Sequence, residues 1–209
     1  MKKNIFLFVF SLFCCAASAQ NFGGGIIGGM TLSQIDGDGL GGYNKIGAVG
    51  GVMVNRAFAE KFTMAMELKF IQKGAHASYN IHTQSGGFYR VQLNYIQLPL
   101  IAQYNFWDNF FGEFGLSYGY LISSKEENDF GELPYSIPFN KSEFAALIGA
   151  AYDIPKTMLR VNARFAYSLP IRRNEAQRQM QGFNPRFKGQ YNNSLEFSLI
   201  WFLNKGIKY

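Results

Sequence analysis

Along much of the chain apolar residues recur at every second position. From Phe62 to Phe70 the even positions Phe62, Met64, Met66, Leu68 and Phe70 are apolar, while Thr63, Ala65, Glu67 and Lys69 between them are small or charged. Leu159–Leu169 repeats this with Leu159, Val161, Ala163, Phe165, Tyr167 and Leu169 against Arg160, Asn162, Arg164, Ala166 and Ser168. In Tyr191–Leu203 the apolar set is Leu195, Phe197, Leu199, Trp201 and Leu203, set against Asn192, Ser194, Glu196 and Ser198. Phe110–Ile122 sets Phe114, Leu116, Tyr118 and Tyr120 against Glu113, Gly115, Ser117 and Gly119. A helical face needs spacings of three and four; spacings of two are strands.

Another four segments alternate less cleanly, which makes eight strands in all. Gly23–Ile35 places Ile26, Met30 and Leu32 against Thr31 and Ser33, Lys45–Phe58 is glycine-rich, and Glu143–Asp153 sets Phe144, Ile148 and Tyr152 against small residues. In Tyr89–Phe106 the apolar residues are first Tyr89, Val91, Leu93 and Tyr95, and then Ile96, Leu98, Leu100, Ala102 and Tyr104. That slip predicts a β-bulge near Tyr95-Ile96, just before Pro99.

Connections alternate between tight and long. Ala59-Glu60-Lys61, Trp107-Asp108-Asn109 and Ile154-Pro155-Lys156 are tight; Asp36–Asn44, Gly74–Phe88, Ser123–Ser142 and Pro170–Gln190 are long. This is the pattern of an all-β, eight-stranded antiparallel up-and-down transmembrane barrel, with short periplasmic turns and long extracellular loops. Thirteen tilted residues rise roughly 30 Å, enough for an apolar band of about 25 Å. Phe58, Phe62, Tyr104, Phe106, Trp107, Phe110, Tyr152 and Trp201 gather at the turn end, as an aromatic girdle would. A soluble barrel or sandwich also alternates, but its polar face carries Lys and Glu for solubility. Here that face is mostly Gly, Ala, Ser and Asn, which suits a narrow interior.

Composition fits. Charged residues are only 16% of the 209, aromatics 17%, and there are 23 Gly. Disorder is excluded by the aromatics, and no later segment is apolar enough for a spanning helix. Lys2 and Lys3, the apolar stretch from Ile5 to Ala16 and Ala17-Ser18-Ala19 predict a signal peptide over residues 1–19, with the barrel over 20–209. Competing readings are an uncleaved anchor and a lipoprotein box at Leu12-Phe13-Cys14-Cys15. Removing 19 of 209 residues leaves 190 without cysteine, with Lys plus Arg falling from 20 to 18 against 14 acids. That net of +4 comes with no nucleic-acid motif, so outer-membrane lipids are the natural partner.

The segments GIIGGMTLSQIDGDG, MELKFIQKGA, LNYIQLPLIAQYNF and FFGEFGLSYGYLIS occur in the order found in the PorT-like outer-membrane β-barrel family, which the mature chain resembles over nearly its whole length. Tyr95-Ile96-Gln97-Leu98-Pro99-Leu100 is the most specific match, followed by Gln72-Lys73-Gly74. The resemblance implies an eight-stranded barrel of the OmpA/OmpX type and, for some members, a part in protein secretion or surface display. It transfers no catalytic residue.

Candidate chemistry is sparse. Glu67, Lys69, Arg90, Glu113, Arg160, Arg164 and Glu196 are expected to face inward and form an ionic network, with Arg160 or Arg164 beside Glu196. An eight-stranded interior is just wide enough to be filled by side chains, which favours a structural role over an ion path. His76 and His82, with Ser78, Ser85 and Glu67, suggest a hydrolase site, yet nothing fixes a base beside a nucleophile. Asp36-Gly37-Asp38-Gly39 lacks the spacing of a calcium loop. Neither a metal site nor a cofactor is expected. Ser123–Ser142 carries a net −2, from Glu126, Glu127, Asp129 and Glu132 against Lys125 and Lys141. Pro170–Gln190 carries +4, from Arg172, Arg173, Arg178, Arg186 and Lys188 against Glu175. These cations suit lipid phosphates or the acidic loop, and Asn174–Gly182 is expected to form a short capped helix. The expected function is non-enzymatic: a structural, surface-interaction or secretion-accessory barrel, with an envelope protein of unidentified kind as a further partner. The alternatives are a narrow porin-like pore and, below it, a lipid A-modifying enzyme.

Overall fold

The structure, a computed structural model, describes residues 22–38, 41–77, 87–133, 138–173 and 189–206. Its elements are β1 (Phe22–Asp36), β2 (Lys45–Ala59), β3 (Phe62–Ala77), β4 (Tyr89–Trp107), β5 (Phe110–Asn128), the short β6 (Gly131–Glu132), β7 (Ser142–Asp153), β8 (Leu159–Arg173) and β9 (Gly189–Asn204). Each long strand pairs antiparallel with its neighbours, and β6 folds back on the end of β5. Pairing of β1 with β9, from Gly24↔Asn204 to Asp36↔Tyr191, closes the ring. Closure satisfies the backbone groups that an open sheet would leave at its edges.

Side chains alternate around the ring. Ile26, Val52, Met66, Leu68, Leu98, Leu100, Phe114, Leu116, Phe144, Ile148, Leu199 and Trp201 point outward and are exposed. Their counterparts Glu67, Lys69, Gln97, Gln103, Glu113, Ser117, Arg164, Glu196 and Ser198 are buried. An apolar surface this continuous is far larger than a soluble monomer tolerates, and lipid is the solvent that favours it. At the turn end Tyr104, Phe106, Trp107 and Phe110 form a run of ring contacts with centroids 5.1, 6.4 and 5.7 Å apart. Tyr and Trp, whose rings are amphipathic, settle at the membrane–water interface, and Tyr104 and Trp107 anchor this run there.

Several strands run further than the alternation predicts. β3 continues to Ala77, β5 to Asn128 and β8 to Arg173, each into a segment expected to be loop. Nineteen residues, the length of β4 and β5, span about 60 Å along the strand and rise about 40 Å at a 45° tilt. The ring therefore stands clear of a roughly 25 Å apolar band at the loop end.

That extension corrects the reading of β4. No side-chain slip occurs: Val91, Leu93, Tyr95, Gln97, Ile101 and Gln103 are all buried, in one unbroken phase. What changes near residue 95 is the environment. Below it apolar residues face lipid; above it Arg90, Gln92 and Asn94 face outward, and Val91, Leu93 and Tyr95 fill the interior. The bulge exists, but on the partner strand. Asn94↔Ser123 gives way to Tyr95↔Leu121, which leaves Ile122 of β5 as the extra residue. Pro99 has a separate effect. Pairing with β3 lapses between Met66↔Leu100 and Lys69↔Gln97 without a change of register, where Pro99 has no N–H to offer.

Candidate functional site

The barrel interior holds three tiers of polar contacts. In the middle tier β3 supplies Glu67 and Lys69, β5 Glu113, β8 Asn162 and Arg164, and β9 Glu196. The Arg164 guanidinium donates through Nε to Glu113 Oε2 at 2.5 Å, through Nη2 to Glu113 Oε1 at 3.2 Å and through Nη1 to Glu67 Oε2 at 3.0 Å. Lys69 Nζ donates to both Glu196 oxygens at 2.7 Å and lies 3.1 Å from Glu67. Asn162 and Gln103 amides complete the donors to Glu113, at 2.9, 3.0 and 2.7 Å. Three carboxylates thus meet two cations, and the balance is met by neutral amides.

Toward the turn end, Arg160 Nε donates to Asp153 Oδ1 at 2.5 Å, and its guanidinium lies 4.2 and 5.1 Å from the Phe111 and Phe202 ring centroids. Arg160 Nη1 also donates to Gln103 Oε1 at 3.0 Å, so Gln103 links this tier to Glu113 above it. Toward the loop end Lys73 Nζ lies 2.6 Å from Glu143 Oε1, which also accepts from Gln97 Nε2 at 2.9 Å. Asn192 Nδ2 donates to Glu143 Oε2 and to the Tyr95 hydroxyl. Among and above these groups Ile35, Ile71, Val91, Leu93, Leu121, Phe139 and Ile171 are buried, part of one apolar cluster that also includes Ile27, Ile101 and Ile200 lower down.

Of the seven charges predicted to face inward, the structure brings Glu67, Lys69, Glu113, Arg164 and Glu196 into one cluster and places Arg160 in the next. Arg90 is the exception and is corrected: it stands on the outer face of β4 and donates to Gln92 Oε1 at 3.2 Å. Arg164 stands opposite Glu196 as expected and forms an ion pair with it at 3.7 Å, although the shorter contacts of Glu196 are with Lys69. Arg160 pairs with Asp153, not with Glu196.

Sequence reasoning missed Lys73, Glu143, Asp153, Gln97, Gln103 and Asn192. Lys73 was within reach, because it continues the inward phase of Glu67, Lys69 and Ile71 once β3 is extended. Gln97 and Gln103 follow as soon as β4 is read in a single phase.

Glu126 is also corrected: it is not an exposed loop charge but buried, accepting from the Tyr89 hydroxyl. Outside the apolar band Lys125 Nζ lies 2.6 Å from Glu127, and this hydrogen bond holds the lysine above its usual pKa and the carboxyl below its own. His76 lies in β3 with its ring edge against Phe88, 5.7 Å between centroids. Ser78, His82 and Ser85 lie outside the described residues, as do residues 1–21, the Asn174–Gly182 segment, Arg178, Arg186, Lys188 and the side chains of Arg172 and Arg173. Among the described residues no cluster of His, Cys, Asp and Glu is grouped to hold a metal.

A closed antiparallel ring of eight strands with a lipid-suited exterior and an ionic interior defines an outer-membrane β-barrel. The chain belongs to the family described as outer membrane protein beta-barrel domain, whose model matches residues 18–170. It is a protein of the bacterial outer membrane. Among solved structures it is similar to Neisserial surface protein A (NspA), at 10% identity over 85% of this chain and 96% of that one, with a TM-score of 0.50. Ail, the attachment invasion locus protein of Yersinia pestis, aligns at 10% identity over 88% of this chain and 99% of that one, with a TM-score of 0.47. At such identity the likeness to NspA speaks for the fold alone. No curated protein matches the sequence.

Proposed function

We propose that the protein is a non-enzymatic barrel of the PorT-like kind, exported by a signal peptide over residues 1–19 and seated with its long loops outside the cell. In this reading the interior is closed by its own side chains. The role is structural, surface-interacting or accessory to secretion, exercised through the loops toward membrane lipids and an envelope partner. One observation carries the proposal: Asp153, Arg160, Gln103, Glu113, Arg164, Glu67, Lys69 and Glu196 are linked by consecutive hydrogen bonds and ion pairs across the interior. Every one of them is buried. Such a chain supports a closed interior, since a ring of eight strands is just wide enough to be filled by side chains. It also holds each carboxylate against a cation or amide rather than poised beside a nucleophile.

Single-channel recording in a planar bilayer tests this reading. The expected result is no stable conductance step at moderate voltage. A reproducible open state, reversed in ion preference by Arg164→Glu, would overturn the closed interior and favour the narrow pore.

A further inference from the structure

The middle tier of the interior does not balance in charge. Glu67, Glu113 and Glu196 are three carboxylates, and Lys69 and Arg164 return two positive charges. The amides of Asn162 and Gln103 satisfy oxygens of Glu113 but carry no charge. Neighbouring tiers offer no spare cation: Arg160 is held by Asp153 and Lys73 by Glu143, while Lys205, beside Asp153, is partly exposed at the turn end. Among the described residues six carboxylates and five cations are buried in all, so the same single surplus appears over the whole chain. A buried charge without a counter-charge is costly.

Beside the surplus stand two oxygens without partners. One row toward the turn end from the Arg164↔Glu196 pair, register sets Asn162 of β8 opposite Ser198 of β9. They are buried, at 4% and 6% exposure, and neither Asn162 Oδ1 nor Ser198 Oγ has a hydrogen-bond partner. Asn162 spends its Nδ2 on both Glu113 oxygens, which leaves Oδ1 on the other side of the amide. The flanking positions of the row are Ala151 on β7 and Gly29 on β1, and these have no polar side chain to offer. Ser198 shares the inward face of β9 with Glu196, about 7 Å along the strand. Room is left at the same place. The Glu196 side chain keeps 7% exposure, whereas those of Glu67, Lys69, Glu113 and Arg164 keep at most 2%. That residual surface admits a sphere the size of water or of a bare alkali cation.

We infer that this row is a binding site for a monovalent alkali cation, held by Asn162 Oδ1 and Ser198 Oγ, with the Glu196 carboxylate supplying the charge. Hard cations take oxygen ligands, and a single surplus charge matches one positive charge rather than two. Water would satisfy both oxygens and leave the charge uncompensated; a proton would cancel the charge and leave the oxygens bare. A cation answers both at once. Occupancy of one site needs no path through the barrel, so single-channel recording and a cation titration can fail separately.

For the titration the full-length barrel is refolded into zwitterionic vesicles, and its urea unfolding is followed by unboiled gel mobility at fixed pH and ionic strength. Sodium is exchanged against N-methylglucamine, an organic cation too large for the row. The folding constant should rise about tenfold for each tenfold rise in sodium once the site is half filled. Ser198→Ala removes one oxygen and Glu113→Gln the surplus charge; each should move half-saturation to sodium about tenfold higher or more. Ser117→Ala, at a buried serine outside the row, should leave it in place. Each variant is read in its own titration, so its basal stability does not enter, and Ser198→Ala alone serves if Glu113→Gln does not fold. Equal folding constants in sodium and N-methylglucamine would overturn the site, as would half-saturation unmoved in a folded variant. Stability that falls with rising pH and ignores sodium would assign the counter-charge to a proton, and would equally sink the cation.

Discussion

Replacing Arg164 by Met removes the cation on which the middle tier turns. Its guanidinium makes 2.5 and 3.2 Å bonds to Glu113 and approaches Glu67 at 2.8 Å, all with side chains at most 2% exposed. Without it Glu67, Glu113 and Glu196 face Lys69 alone. Glu67 and Glu196 still share Lys69, so the charge newly left without a cation is that of Glu113, which keeps only amide donors from Asn162 and Gln103. Breaking a buried ion pair from one side costs about 3–5 kcal/mol. The surviving amide bonds place the expected loss at the lower end, about 3 kcal/mol. Glu113→Gln in the Arg164→Met background removes the stranded charge and should restore roughly 1–2 kcal/mol. Glu113→Gln alone should cost less than Arg164→Met, because it leaves two carboxylates against two cations. Equilibrium unfolding in urea, with the barrel in lipid vesicles and folding read from unboiled gel mobility, measures all four corners of the cycle. Additive effects within about 0.5 kcal/mol would mean that water already separates these groups, and the reasoning would fail.

The remaining expectations are simpler. Glu196→Gln should destabilise by more than Glu132→Gln, since Glu196 takes two 2.7 Å bonds from Lys69 and Glu132 is exposed; equal losses would mean that Glu196 is hydrated. Gly51→Ala should cost about 1–3 kcal/mol, because an added Cβ would lie 2.4 Å from Leu68 O and 2.6 Å from Lys69 Cα, whereas Gly28→Ala meets nothing within 4 Å and should be nearly neutral. Reversal of that order in urea midpoints would refute the inward placement of Gly51. Cell fractionation should recover the chain in the outer membrane with anomalous mobility before boiling, and recovery as a soluble periplasmic protein would contradict the lipid-facing exterior.

The strands were legible because the lipid band imposes a strict code. Where a strand crosses it, outward residues are apolar and polar residues are confined to the inward face, as at Met66-Glu67-Leu68-Lys69, although inward positions such as Ile27, Ile101 and Ile200 are apolar too. Cross-strand neighbours followed from this, including Arg164 opposite Glu196. The shortest contacts did not, because a Lys or Arg side chain in a narrow barrel reaches past its neighbour. Lys69 on β3 meets Glu196 on β9, two strands beyond the adjacent β2, and no local spacing encodes that span. The turn-end clasp of Arg160 with Asp153 was hidden for another reason: Asp153 ends β7 beside a turn, where an acidic residue reads as solvent-facing.

Arg90 shows where the code itself inverts. An alternating strand has no absolute sense of inside and outside; the solvent on each face supplies it. Within the band the outer solvent is lipid, so Ile96 and Leu98 face out while Gln97 faces in. Above the band the outer solvent is water, and the preference reverses: Asn94, Gln92 and Arg90 face out while Tyr95, Leu93 and Val91 face in. The backbone does nothing unusual on β4 at this point. Read from periodicity alone, the exchange of apolar from odd to even positions is indistinguishable from an inserted residue, and only the burial along the whole strand separates the two. The same inversion makes the interior beyond the band largely apolar, at Ile35, Ile71, Val91, Leu93 and Leu121, continuous with apolar residues such as Ile27, Ile101 and Ile200 that lie among the ionic groups at membrane depth. A buried ionic tier is a poor source of net stability, since desolvation offsets most of the attraction. The apolar tier has no such penalty, so it stabilises the protruding end where lipid no longer supports it. Apolar packing of that kind lets the loop end stand clear of the band as a rigid platform, as the proposed role through the loops requires.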